Sequence, residues 1–116
     1  MSKRSAHLLL EDMLDAVRQI QAYVAGMEFS AFANDRKTCD AVIRNFEIIG
    51  EASHRLPDEY KALHPEIDWT KIRGFRNRIV HDYFGIDYEI VWMIAKTNLP
   101  QLISSLEKLL KAQDPS

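Results

Sequence analysis

Cysteine is almost missing from this chain of 116 residues. Its one copy, Cys39, has no partner for an internal disulfide and no second thiol with which to build a zinc site, so it reads as a small buried hydrophobe. Long apolar runs are missing too. Stretches such as Leu8-Leu9-Leu10 stop after a few residues, far short of the roughly 20 needed to cross a bilayer, and Glu11 and Asp12 end that triplet before a signal-peptide core can form. The expectation is a cytoplasmic protein with no membrane contact. Glycine and proline, four of each, are too few and too scattered to make a linker, and there is no repeat or low-complexity tract. Period-2 alternation never persists long enough for a strand. With 47% hydrophobic and 28% charged residues, the chain has the composition of a folded globular protein, and its length suits a single domain over residues 1–116.

Helical periodicity is abundant. Leu10, Met13, Leu14, Val17, Ile20 and Val24 recur at three and four, which predicts a first helix from about Arg4 to Ala25 with Gly26 near its end. Asn34 and Asp35 are suitable caps for a second helix that buries Cys39, Val42, Phe46 and Ile49 and stops before Pro57. Residues 58–68 read as a loop with one short helical turn at "EYKAL". A third helix begins near Trp69, carries "TKIRGFRNRIVHDY" and yields at Phe84-Gly85. Asp87 can cap the last helix, whose stripe of Tyr88, Val91, Trp92, Ala95, Leu99, Leu102, Leu106 and Leu110 runs to the C-terminus. Pro100 lies inside that stripe, where it removes a hydrogen bond to the carbonyl of Lys96 and predicts a kink. Gly50 and Gly74 interrupt helix interiors and are read as points where helices approach closely. The fold class is all-α, an up-and-down bundle of four main helices with a short fifth.

A net charge of -2 gives no general attraction for a polyanion. The cations are nonetheless concentrated: Lys71, Arg73, Arg76 and Arg78, out of 15 lysines and arginines, lie between Thr70 and His81 with no acid among them. On a continuous helix Arg73, Asn77 and His81 share a face, whereas Arg76 and His81 are separated by about 140° around the axis. Two routes reunite them: a helix that loosens near Asp82, or two copies of the helix facing each other across a dimer axis. The second explains more, because one groove then receives both sets of side chains in an isologous homodimer.

A histidine among arginines and an amide suits phosphodiester cleavage. Imidazole moves a proton near neutral pH, and guanidinium grips phosphate in a fork and offsets the charge that grows in the transition state. Asn77 can orient either partner, and Arg73 and Arg78 supply further contacts to RNA. With an RNA 2′-hydroxyl as nucleophile neither metal nor cofactor is required, and His7, His54 and His64 show no ligand spacing with carboxylates. Two plainer readings stand beside catalysis. One is a phosphate-binding patch without chemistry; the other is a solvated basic helix end, where His81 satisfies the last carbonyls. Tyr83 by itself reads as a half-buried aromatic. Glu47 and Glu51 can reach the cleft and orient an arginine, or pair with Arg44 and Arg55 on their own helix.

Taken in order, "DRKTCDAVIRNFEIIGEASHRLP", "WTKIRGFRNRIVHDYFGIDYEIVW" and "NLPQL" resemble the HepT-like toxins of the HEPN superfamily, the RNase partners of minimal nucleotidyltransferases. The resemblance runs from about Asn34 to Leu110. Its central motif, an arginine, four residues, a histidine, any residue and a tyrosine, stands here as Arg76, His81 and Tyr83. The resemblance implies an all-helical homodimer whose two motif copies line an interface cleft, acting as the toxin of a type VII-like toxin-antitoxin system. Arg76 and His81 would then be the catalytic pair of a metal-independent endoribonuclease cleaving tRNA or mRNA, with Asn77 assisting. Tyr83 would receive AMP from the nucleotidyltransferase antitoxin, which adds bulk and phosphate charge where an anionic backbone must enter. The alternatives are a non-catalytic module that binds the nucleotidyltransferase or a nucleic acid, and a plain structural dimer.

Overall fold

Ser5 starts the first helix by accepting a hydrogen bond from the Leu8 amide at 3.2 Å. Helix α1 (Ala6–Val24) then turns its predicted stripe inward, and Leu10, Met13, Leu14, Val17, Ile20 and Val24 are all buried. Gly26, at φ +75°, ends it in the left-handed region that glycine tolerates. The structure, a computed structural model, describes residues 4–81 and 85–113, without the side chains of Val80, His81 and Gln113.

Helix α2 (Phe29–Ala33) has no counterpart among the predicted elements. Five residues are too few to show a period, and this turn is held by tertiary contact: Phe32 is buried with its ring centroid 5.2 Å from that of Trp92. Asn34 closes α2, its side-chain amide donating to the Ser30 carbonyl at 2.8 Å. Of the two expected caps, therefore, only Asp35 serves α3 (Arg36–Arg55), accepting from the amide of Thr38 at 3.1 Å and from its hydroxyl at 2.8 Å. Cys39, Val42, Phe46 and Ile49 are buried as the pattern requires. The Cys39 thiol donates to the Phe32 carbonyl at 3.0 Å, and burial raises its pKa, so it behaves as an inert core group.

The expected turn at "EYKAL" is α4 (Asp58–Leu63). Helix α5 (Trp69–Ile79) follows, with the Asp68 carboxylate accepting from the Lys71 amide at 2.9 Å and the Trp69 indole donating to the His64 carbonyl at 2.9 Å. Helix α1 packs against α3, and α3 packs against α5 through Phe46 and Phe75, whose rings meet edge to face at 5.9 Å.

Two expectations are corrected in the next segment. Helix α5 stops at Ile79 instead of running to Tyr83, and a short antiparallel pair, β1 (Val80–His81) and β2 (Gly85–Ile86), takes its place. The carbonyl of Ile79 accepts from the Asp87 amide at 2.8 Å, so the end of the helix is tied to the chain that returns, and Gly85 at φ +79° makes the reversal possible. Asp87 caps α6 (Tyr88–Met93) as expected, accepting from the Ile90 amide at 3.1 Å. The predicted kink takes the form of a π-helical turn, Ile94–Asn98, before α7 (Leu99–Gln113). Proline at position 100 has no amide to donate, and the wider turn lets the preceding Leu99 amide bond to the carbonyl of Ile94. Val91, Ile94, Leu99, Leu102 and Leu106 are buried on this last helical run, which α1 covers.

Within the chain, the reading of Gly50 and Gly74 as close approaches of helices does not hold: a Cβ built at either would meet no atom of another element within 4 Å. The all-α class is as expected, with α1, α3, α5 and the α6–α7 run as the main helices. Among the described residues no helix is long and apolar enough to cross a membrane.

Two outcomes follow for stability. Gly74→Ala should add about 1 kcal/mol, because alanine costs less helix entropy and clashes with nothing; a higher urea midpoint at unchanged slope is the readout. The hydrogen bonds from Thr38 hold the Asp35 carboxyl below its ordinary value of 3.8, so its stabilisation is present above that pH and fades as pH falls through the lowered folded value. Wild type should accordingly melt above Asp35→Ala near neutrality, and the gap should close in thermal scans below pH 3.8.

Candidate active site

The inner side of α5 is set by Ile72, Phe75 and Ile79, all buried. With about 100° per residue, the helix must then turn Thr70, Arg73 and Asn77 away from the core, with Arg76 on the flank beside Arg73. All four are exposed. Arg73 lies about 60° around the axis from Arg76 and about 40° from Asn77, so the three side chains start from one strip of surface.

Arg78 does not belong to that strip. It starts about 140° round from Arg73, is half-buried and shares its flank of the helix with Lys71. The acid-free run is therefore divided between two sides of α5, and a single patch of four cations is not what the fold makes.

Several arginines elsewhere in the chain are paired with acids. Arg4 pairs with Asp12 at 2.7 Å, Arg18 with Glu107 at 2.9 Å and Arg44 with Glu47 at 3.5 Å. Among the described residues, Arg73, Arg76 and Arg78 have no carboxylate within ion-pairing distance. Exposed guanidiniums without a local counter-charge are suited to an external anion such as phosphate. The pairing with Arg44 assigns Glu47 to its own helix, and Glu51 lies in the same groove beside α1, with Leu9, Asp12 and Arg55. Neither carboxylate is placed to orient an arginine of α5 within this chain.

His81 is placed by its backbone alone, in β1 opposite Gly85, and its side chain lies outside the described residues. Tyr83 lies outside them as well. The 140° separation expected of a continuous helix no longer applies, since the chain leaves the helical path after Ile79. The helix does end before Asp82, which is the loosening that the first route requires; the second route, two copies of the helix facing each other, concerns an assembly of chains. Two of the remaining histidines serve locally: His7 stands 3.2 Å from Glu11 and His64 stands 3.1 Å from Glu66. Among the described residues no three histidine, cysteine or acidic side chains converge as a metal site would require.

One feature beside the strip is absent from any sequence pattern. Arg73 also lines a groove of about 170 Å³ with Gly50, His54, Lys61 and Trp69, residues brought from α3, α4 and α5. Nothing in the spacing of "EIIGEASH" connects Gly50 or His54 to an arginine on another helix, so only packing could reveal it.

Residues 13–109 match the family described as ribonuclease HepT-like. A protein of Thermococcus cleftensis named "Probable ribonuclease HepT" is 42% identical over 109 residues, covering 94% of this chain and 99% of that one. A Methanocaldococcus jannaschii protein provisionally named an RNase is 36% identical over 111 residues, 96% of this chain and 92% of its own. Another with that provisional name, from Caldanaerobacter subterraneus subsp. tengcongensis, is 33% identical over 104 residues, 90% and 93% of the two chains. No solved structure matches significantly. With a family match that spans most of the chain and relatives aligned nearly end to end, this protein belongs to the HepT-like family.

Proposed function

We propose that this member of a ribonuclease family is a metal-independent endoribonuclease, with Arg76 and His81 as its catalytic pair. The observation that carries the reading is the spacing of Arg76, His81 and Tyr83 at a helix end where Arg76 is exposed and unopposed by any described carboxylate. The chemistry needs only the RNA itself. His81 takes the proton of a 2′-hydroxyl, the freed oxygen attacks the adjacent phosphorus to give a 2′,3′-cyclic phosphate, and the bond to the 5′-oxygen breaks as that oxygen takes a proton from water. Arg76 binds the non-bridging oxygens and offsets the charge they gain, while Asn77 and Arg73 hold the neighbouring backbone. Arg78, on the other flank of α5, acts at most at the edge of the substrate.

The cleft is assembled by two copies of the chain, each contributing its own α5 end, so the active form is a homodimer. Its physiological role is that of a toxin in a type VII-like pair, with RNA as substrate and a minimal nucleotidyltransferase as antitoxin. AMP placed on Tyr83, two residues beyond His81, adds a phosphate to the entrance and repels the RNA backbone.

The test is cleavage of tRNA and mRNA in EDTA. Wild-type protein should cut, and His81→Ala and Arg76→Ala should each lose on the order of 100-fold or more in rate, whereas Arg78→Ala should retain most activity. Pre-incubation with the nucleotidyltransferase and ATP should silence wild type and leave Tyr83→Phe active. Equal cleavage by wild type and His81→Ala, or none by either, refutes the assignment.

A further inference from the structure

The groove that Arg73 shares with α3 and α4 has a fixed frame and an open floor. Trp69 is held at its edge by the hydrogen bond from its indole to the His64 carbonyl at 2.9 Å. Lys61 donates to the Ser53 carbonyl at 3.2 Å and stands 3.7 Å from Asp58, the one carboxylate of the lining. The cations Lys61 and Arg73 therefore outnumber the acids, with His54 exposed at the rim.

Gly50 is the unexplained residue. Glycine weakens a helix interior, and apart from its own stretch of helix backbone no atom lies within 4 Å of where its Cβ would be. Intrachain packing thus gives no reason for it, and its effect is to leave space in the groove. At about 170 Å³ the groove is smaller than the roughly 300–1,000 Å³ typical of sites for drug-sized ligands, a size that suits one planar ring system. Arg73 links it to the strip that carries Arg76, one helical turn further along α5.

We propose that this groove is a subsite for single-stranded RNA, taking the base next to the scissile phosphate beside the Trp69 indole and above Gly50, with the adjoining phosphate on Arg73. It rests on the ribonuclease reading, but it assigns residues outside the motif. An aromatic wall next to a cation is the combination that binds unpaired nucleotides with little regard to sequence, since any base offers a face to stack and every linkage carries a charge. An acidic protein segment would use the cations and leave the indole without a role.

The experiment measures binding of a fluorescein-labelled oligouridylate of about 12 nucleotides by anisotropy in EDTA, in a His81→Ala background that keeps the RNA intact. Gly50→Leu fills the groove at a position with free space, and His54→Glu reverses the character of its rim. Each should weaken binding roughly tenfold, the scale of one lost stacking or charge contact, with no fall in melting temperature and no change in sedimentation. Unchanged affinity in both variants overturns the proposal. So does a loss of affinity that follows a change in assembly state, which would make the groove a contact between copies. Cleavage by the wild-type protein is scored separately: no cleavage with Gly50-sensitive binding sinks the ribonuclease reading alone, and cleavage with Gly50-insensitive binding sinks the subsite alone.

Discussion

The contact between Phe75 of α5 and Phe46 of α3 fixes the orientation on which the candidate site depends. Once Ile72, Phe75 and Ile79 are buried, the 3.6-residue repeat leaves no choice about where Arg73, Arg76 and Asn77 begin. A rotation of α5 by one residue would exchange cations for apolar groups across its surface and cost the burial of three large side chains, each worth roughly 1.5–3 kcal/mol. The basic strip is in this sense a consequence of the core. Its chemistry is displayed on a rigid element, which is where groups that must meet a phosphate in a defined geometry are best placed.

The termination of α5 is the second constraint. A helix continued to Tyr83 would have carried His81 around the axis away from Arg76. Instead the Ile79 carbonyl is bound by the Asp87 amide, and residues 80 and 81 pair with 86 and 85. The same aspartate then caps α6 through its side chain. One residue thus closes one helix and opens the next, so the position of the His81 backbone relative to Arg76 is set by elements on both sides of the motif.

Electrostatics agree with a local mode of binding. A chain with a net charge of -2 has no overall pull on RNA, and several of its cations, Arg4, Arg18 and Arg44 among them, are paired with nearby acids. Arg73 and Arg76, exposed side by side without a described acidic partner, form a local site of positive charge. Such binding is strongly weakened by salt, because each phosphate contact releases counterions.

Most of the long elements were legible in the sequence because their apolar residues recur with the helical period over many turns. The stripe of α1, the Asp35 and Asp87 caps and the short turn of α4 are local features, set by residues close together in the chain. The candidate motif was legible for the same reason, as a dense run of basic and polar residues. What the sequence could not determine involves distant partners. Helix α2 exists because Phe32 finds Trp92, and α5 ends at Ile79 because residues 85–87 return to it. The π-turn before Pro100 and the groove joining Gly50 to Arg73 likewise arise where separate segments settle against one another. Periodicity and capping act within a few residues, so the sequence alone determined the long helices and which face each buries. The ends of those helices and the meeting of side chains from different ones depend on hydrogen bonds and packing across the chain, and only the tertiary structure decided them.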